Sequence, residues 1–366
     1  MMIIKKVIRT VLTISIIGTS VALLGAAAAP YINPANFEWT AFLGLMYPFL
    51  FLLHLLLFVC YLMIKRSMQT LLFLVPALAT IHLFLNSFGL NYFSSAKETK
   101  GDTLKFMTYN VHMFTYANDL AANAQPAILQ LVQNEQPEIL CMQDFQLKTG
   151  AGGQLNTIDS IKTILKTTYF YDGPDNIKLF PTQSIVTFSK YPIVNSGFIL
   201  FSETSGGNQS VFTDINKNGR IIRVYNVHFE SLGFQQSEYE EWKNADIIGK
   251  FKFLYKVKDK FAVAFANRSK QVKMVRKHAN SCPYPFIIAG DFNDTPSSFA
   301  VNYTMKGMRN AFREKGRGYT VTFNGGLPDF QIDYVLVQPY FSVLNYNVIR
   351  TKLSDHYPVV VTLGFN

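Results

Sequence analysis

Thiols are scarce in this chain: Cys60, Cys141 and Cys282 are its three cysteines among 366 residues. None belongs to a CxxC pair or a cysteine–histidine cluster, which speaks against a zinc site. Cys60 lies in an apolar run and Cys141 in an expected strand, so both read as buried free thiols, leaving Cys282, near a turn, as the exposed one. Charge is scarce too, at 16% of residues against about 25% in an ordinary globular domain. The shortage is concentrated at the start, where Lys5, Lys6, Arg9, Glu38, Lys65 and Arg66 are the only charged side chains before residue 91. Lysines gather most in the stretch 236–280, which reads as a helix. The net charge of +10 is nonetheless too dispersed for a nucleic-acid footprint, although it suits an anionic substrate. Internal repeats and low-complexity segments are absent as well.

Apolar runs occupy the uncharged region. Residues 7–29, 40–64 and 70–90 each reach the roughly 20 residues needed to cross a hydrocarbon core, so a membrane domain of three transmembrane helices is expected over residues 1–90. Pro76 should kink the third, which a spanning helix tolerates. His54 and His82, inside these runs, read as interhelical hydrogen-bonding groups rather than ligands. The first run also has signal-peptide features, with basic residues before it and small ones at Ala26 to Ala29, but Pro30 opposes cleavage just before it. Either way, Lys65 and Arg66 mark the second loop as cytoplasmic, the 30–39 loop has no basic residue, and the third helix exits on the far side. The large domain should then stand outside the cytoplasm. Lys97, Lys100 and Lys105 oppose that orientation, but Glu98 and Asp102 accompany them and long domains translocate largely regardless of charge.

Residues 91–103 read as a polar linker and 104–366 as one α/β unit. Alternating or continuous apolar residues predict strands over 104–110, 138–144, 185–188, 210–215, 220–228, 332–337 and 343–350, with a last strand after Pro358. Helical spacing runs over 121–135 and over a lysine-rich stretch, 236–280, that should break around Val257 to Phe261. The stretch from Pro285 to Pro296 organises the rest: four apolar residues lead through Gly290 to Asp291, Phe292, Asn293 and Asp294. This is a buried strand ending at a polar turn, the place where α/β sheets expose chemistry; taken alone, it reads equally as an Asx turn.

Polar residues recur wherever strands finish or begin: Asn110, Asp144, His228, Asp291 with Asn293, Asp333, and Asp355 with His356. Histidines and carboxylates without a thiolate fit a hard, oxygen-ligated divalent ion, most simply Mg²⁺ with Mn²⁺ as its substitute, together with an acid–base histidine. His112 and His278 match no motif and read as surface or packing histidines.

Taken in order, Thr108-Tyr109-Asn110-Val111, Leu140 to Asp144, Ser189 to Ile193, Tyr225 to His228, Gly290 to Asn293, Ile332-Asp333-Tyr334 and Ser354-Asp355-His356 resemble the endonuclease/exonuclease/phosphatase superfamily, the DNase-I-like metal-dependent phosphoesterases. The resemblance covers residues 104–366, and the leading helices resemble bacterial membrane-anchored members. It implies a four-layer sandwich of two mixed β-sheets flanked by helices. It also implies metal ligands at Asn110, Asp144 and Asp355, with Asp291 handling the attacking water. Asn293 and His228 would hydrogen-bond phosphoryl oxygens, and His356, oriented by Asp333, would complete a dyad. Two departures stand out: Asp144 occupies the family's usual glutamate position, and Gln331 replaces a common basic residue. The expected protein is a multi-pass inner-membrane phosphodiesterase facing the periplasm or exterior, acting on an envelope or lipid-headgroup phosphoester. The rivals are an extracytoplasmic nuclease and a non-catalytic binding module that kept the fold.

Overall fold

A computed structural model describes every residue except 1, 66, 94–100, 117–118, 147–156, 174–183, 202–207 and 327–328. The apolar runs form α1 (Met2–Ala26), α2 (Glu38–Ile64) and, after a 3₁₀ stretch over Met68–Leu74, α3 (Val75–Ser87). Lys6–Ala26, Glu38–Ile64 and Met68–Ser87 are each long and apolar enough to cross a membrane. Pro76 does not kink the third segment midway. It stands in the first turn of α3, where its missing N–H would have had no partner, and the irregularity is the 3₁₀ stretch before it. His54 ties the three segments together, with Nδ1 2.8 Å from Thr19 Oγ1 and Nε2 donating to the Phe73 carbonyl at 2.7 Å. His82, expected to act likewise, is exposed on α3 instead.

Next come β1 (Phe88–Leu90), β2 (Thr103–Asn110), β3 (Thr115–Tyr116), β4 (Asp119–Asn123), α4 (Gln125–Glu135) and β5 (Ile139–Phe145). They lead to α5 (Thr157–Leu165), β6 (Tyr169–Tyr171), β7 (Ser184–Ser189), β8 (Ile193–Leu200), β9 (Gln209–Lys217) and β10 (Arg220–His228). Two helices follow, α6 (Gln236–Asn244) and α7 (Ile247–Asn280), and then β11 (Phe286–Asp291). The chain ends with α8 (Phe299–Met305), β12 (Arg309–Asn310), α9 (Ala311–Lys315), β13 (Arg317–Tyr319), β14 (Asp333–Val337), β15 (Phe341–Val348) and β16 (Val359–Phe365).

Two six-stranded sheets result, ordered β12-β14-β11-β10-β9-β8 and β15-β16-β2-β5-β7-β6. Each is mixed: one parallel pair, β10 with β11 or β2 with β5, sits among antiparallel neighbours. The period of two along each strand sorts its side chains into layers. Phe106 and Cys141 face Ile222, Val224 and Ile287 between the sheets, while Met107 and Leu140 turn outward onto Ile128 and Ile161 of α4 and α5. On the other outer face, Tyr225 and Ile288 pack against Val272 and Val275 of α7. Helix, sheet, sheet and helix are the four layers expected.

Some boundaries differ from the sequence reading. The helix expected from residue 121 starts at Gln125, with Pro126 in its first turn, and Asp119–Asn123 pairs with Thr115–Tyr116 as a strand. The lysine-rich stretch breaks at Ala245 rather than near Val257. Asp246 caps α7 by accepting from the Gly249 N–H at 2.7 Å, and Val257 and Phe261 lie on its buried face, where packing overrides their weak helix propensity.

The membrane-length helices are fastened to the sandwich. Phe42 of α2 packs on Phe261 and Phe265 of α7 with ring centroids 5.8 and 5.3 Å apart. Asn302 donates to the Pro30 carbonyl at 2.8 Å. Gly44 lies so near the Ser297 carbonyl and Ala29 that a Cβ there would come within 2.6 Å of Ala29. Finally, β1 pairs antiparallel with β13, and Asn91 donates to the Arg313 and Gly316 carbonyls, each at 3.1 Å.

Candidate active site

The two parallel pairs end on the same side, and their last residues define the site. Asn110 closes β2 and Asp144 is the second-last residue of β5; His228 and Asp291 are register partners at the ends of β10 and β11. Asp333 opens the antiparallel β14 opposite Asp291, and Asp355 and His356 immediately precede β16, which runs beside β2. Gly290 is required here, because its φ of 137° and the Val227 carbonyl, 2.1 Å from any Cβ, leave no room for a side chain. Asp144 and Asn293 adopt left-handed backbone, φ 48° and 51°, which Asp and Asn tolerate best. At Asp144 this coincides with a register shift between Met142 and Phe145, so the carboxylate leaves the pleat and turns toward Asn110.

Asp291 is the hub. One of its oxygens accepts from Asn110 Nδ2 at 3.0 Å and Asn293 Nδ2 at 3.2 Å, and lies 3.6 Å from His228 Nε2 and 3.7 Å from His356 Nε2. Its other oxygen accepts from the Asn293 N–H at 2.8 Å. Asn110 Nδ2 also reaches Asp144 Oδ2 at 3.2 Å, and His228 Nδ1 lies 3.5 Å from Asp144 Oδ1. His356 Nδ1 is 2.9 Å from Asp333 Oδ2, and Ser354 Oγ donates to Asp355 Oδ1 at 3.2 Å.

The electrostatics follow from burial with few countercharges. Burial raises the Asp291 carboxyl to about 6, helped by Asp333 and opposed by His356 and His228. Burial alone would discharge His356, but Asp333, Asp291 and Asp355 more than offset it and hold the imidazole well above its usual range. One proton is thus held between a reluctant carboxylate and a charged imidazole, the poise required of an acid–base pair.

Residues 107–356 match the Endonuclease/Exonuclease/phosphatase family. The chain belongs to that family. It is thereby placed among hydrolases that are generally metal-dependent and cleave phosphoesters. Residues 7–88 match a domain of unknown function, and no curated protein matches the chain. Among solved structures, an endonuclease/exonuclease/phosphatase from Beutenbergia cavernae DSM 12333 is 18% identical with a TM-score of 0.52, covering 72% of this chain and 72% of its own. A family protein from Bacteroides thetaiotaomicron is 18% identical with a TM-score of 0.52, covering 73% of this chain and 100% of its own. One from Bacteroides vulgatus is 16% identical with a TM-score of 0.52, covering 72% and 100%. At these identities the likeness establishes the fold.

Two groupings in this family member could hold a divalent ion. Asp291, Asp333 and His356 bring ligand atoms within 4.8 Å of one another and are all buried. In this trio His356 Nδ1 is bonded to Asp333 Oδ2 and Asp291 accepts from Asn110 and Asn293, while Asp333 Oδ1 is buried without a hydrogen-bond partner. Asp144 Oδ1 is likewise buried without a hydrogen-bond partner, 3.5 Å from His228 Nδ1, while Asp144 Oδ2 accepts from Asn110. The orphaned oxygen of Asp144, the Asn110 amide bonded to that residue, and a partly exposed Asp355 3.9 Å from His356 are hard oxygen donors of the kind Mg²⁺ accepts, so the residues fit the ion.

All the site residues expected from the sequence gather here; others join them. His112, read as a surface or packing residue, has Nδ1 3.7 Å from Asp355 Oδ1. Its signal was its position two residues after Asn110, whose Oδ1 accepts from the His112 N–H at 3.0 Å. His278 is a packing histidine, bonded to Tyr225 and stacked near Phe212. Asp294 pairs with the buried Arg268 of α7 at 3.1 Å rather than capping a helix. Tyr239 of α6 has its phenol pushed up by burial and then by Asp355, Glu238 and Asp291, so it lies within electrostatic reach of the site. No local pattern in the sequence announces it.

Proposed function

We propose that this chain is a membrane-anchored, Mg²⁺-dependent phosphodiesterase whose domain faces out of the cytoplasm, at the inner membrane of a bacterium, and that an envelope or lipid-headgroup phosphoester is its substrate. The observation that carries the reading is Asp291, a buried carboxylate raised to about 6 and flanked by two imidazoles. A group titrating there can take a proton from water and return it, which a carboxylate at its ordinary value does poorly.

Asn110, Asp144 and Asp355 would hold the ion. Bound Mg²⁺ would supply charge neutralisation and orientation for the phosphoryl oxygens. Asp291 orients the attacking water and accepts its proton at the oxygen shared by Asn110 and Asn293. Asn293 is fixed by its bond from Nδ2 to the Phe229 carbonyl at 2.9 Å; its second Nδ2 hydrogen, which rests on Asp291 at 3.2 Å, would turn with His228 to the oxygens on which charge builds once substrate is bound. His356, aligned by Asp333, carries a proton on Nε2 that it can donate to the departing alkoxide. Support for the orientation comes from the side on which the domain is fastened: it packs against the end of α1, the start of α2 and the exit of α3, opposite the ends carrying Lys6, Arg9 and Lys65.

The test is hydrolysis of a panel of lipid, nucleotide and nucleic-acid phosphoesters by the purified chain, with Mg²⁺ or with chelator. Turnover of a lipid phosphodiester abolished by chelator is the expected result. Preference for nucleic acid would transfer the chemistry to a nuclease, and inactivity throughout would leave a binding module.

A further inference from the structure

The segment between His228 and the buried half of α7 carries an apolar stripe that no described residue covers. On α7, Phe253, Val257, Phe261 and Phe265 recur every four residues and are buried, packed on Ala41, Phe42 and Leu45 of α2. A second stripe with the same spacing, Ile247, Phe251 and Tyr255, joined by Ile248, is bare: Phe251 is 69% exposed and Tyr255 74%. Chance exposure of single apolar residues is ordinary, but four of them aligned over three turns form a face.

Its position says what meets it. At about 1.5 Å per residue, α2 is about 40 Å long, more than the roughly 30 Å of a hydrocarbon core, so one or two turns extend beyond it. Exposed Tyr31, Phe37 and Trp39 mark that excess at the Glu38 end, in the manner of an interfacial aromatic belt. These are the turns of α2 on which α7 packs through Phe261 and Phe265, so α7 is held at the level where α2 leaves the membrane, with the bare stripe on the face of α7 turned away from that contact. Lys250, Lys252 and Lys258 stand beside the stripe, giving the apolar-and-basic composition of a helix lying on anionic headgroups. Lys256 and Lys260, further round, are paired with Glu241 and Glu238 of α6. The same segment borders the site: Tyr239 of α6 packs on Phe234, which contacts Phe253 and Phe261, and Arg268 of α7 clamps Asp294.

We propose that Ile247, Ile248, Phe251 and Tyr255 dock on the anionic surface of the bilayer that holds α1 to α3, presenting the adjacent site to the phosphodiester of a phospholipid in that same bilayer. The substrate clause rests on the phosphodiesterase reading; the docking does not.

The full chain is reconstituted in vesicles of phosphatidylethanolamine and phosphatidylglycerol, with and without brominated acyl chains. Tryptophan emission of Phe251→Trp is compared with that of Lys277→Trp, an exposed position at the far end of α7, after subtracting the parent. Docking predicts blue-shifted emission and bromine quenching for Phe251→Trp only; equal quenching of the two overturns it. In a second arm, Ile248→Asp with Phe251→Asp should lower turnover of phosphatidylglycerol in vesicles about tenfold or more and leave turnover of soluble bis(p-nitrophenyl) phosphate unchanged. An equal fall on both substrates overturns the proposal, since the face would then serve only the fold. Should the parent hydrolyse neither substrate, the phosphodiesterase reading fails while quenching still decides the docking.

Discussion

Asp291 and Asp144 are both aspartates at strand ends, yet their surroundings assign them different work. Asp291 is enclosed, bonded on both oxygens and raised toward neutrality, whereas Asp144 keeps one oxygen unpaired. Asp291→Asn keeps the shape and removes the proposed proton acceptor, so turnover should fall about a hundredfold or more while the far-ultraviolet spectrum and membrane insertion are unchanged. Asp144→Asn keeps a residue at ease with φ 48° but removes a charge. The Mg²⁺ concentration for half-maximal activity should rise about tenfold or more, read from a titration of rate against Mg²⁺. An unchanged midpoint would take Asp144 out of the ligand set. These residues were legible in the sequence because each ends or begins a strand within a recognisable motif. His112 and Tyr239 were not, since one reaches the site through a turn and the other across a helix whose placement is a tertiary fact.

Elements were legible where their period was strong. The central strands alternate or run continuously apolar, and their positions along the chain could be read directly; β8, with its exposed and half-buried edge pattern, could not. Helix ends depended on Pro126 and Asp246, punctuation that outweighed the apolar spacing around it. How the two sheets face each other was not readable from either. A buried amide link fixes it: Asn226 on β10 accepts from Gln143 of β5 at 2.6 Å and donates to the Val186 carbonyl of β7 at 3.0 Å. Removing it leaves Gln143 and a carbonyl unsatisfied between the layers. Asn226→Ala should therefore cost about 1–3 kcal/mol, measured as a lowered urea midpoint of the purified protein in detergent.

For the whole molecule, the sidedness proposed above rests on the distribution of basic residues and on which helix ends the domain is attached to. Protease added outside intact spheroplasts should digest the chain beyond residue 91, and digestion only after the inner membrane is broken would reverse the orientation. The attachment itself was not readable, because Phe88 to Leu90 look like the end of an apolar run and become a strand only by meeting Arg317 to Tyr319. That short pairing, with the Pro30 and Phe42 contacts, gives the domain three fastenings to its helices where a single flexible tether would give one. A tethered enzyme samples a volume; a fastened one sweeps only the plane in which its helices diffuse. For a substrate held in that plane, the encounter rate is set by mole fraction at the surface and lateral mobility. Diluting the membranes in buffer would leave each enzyme's workload unchanged, whereas diluting the substrate among other lipids would starve it.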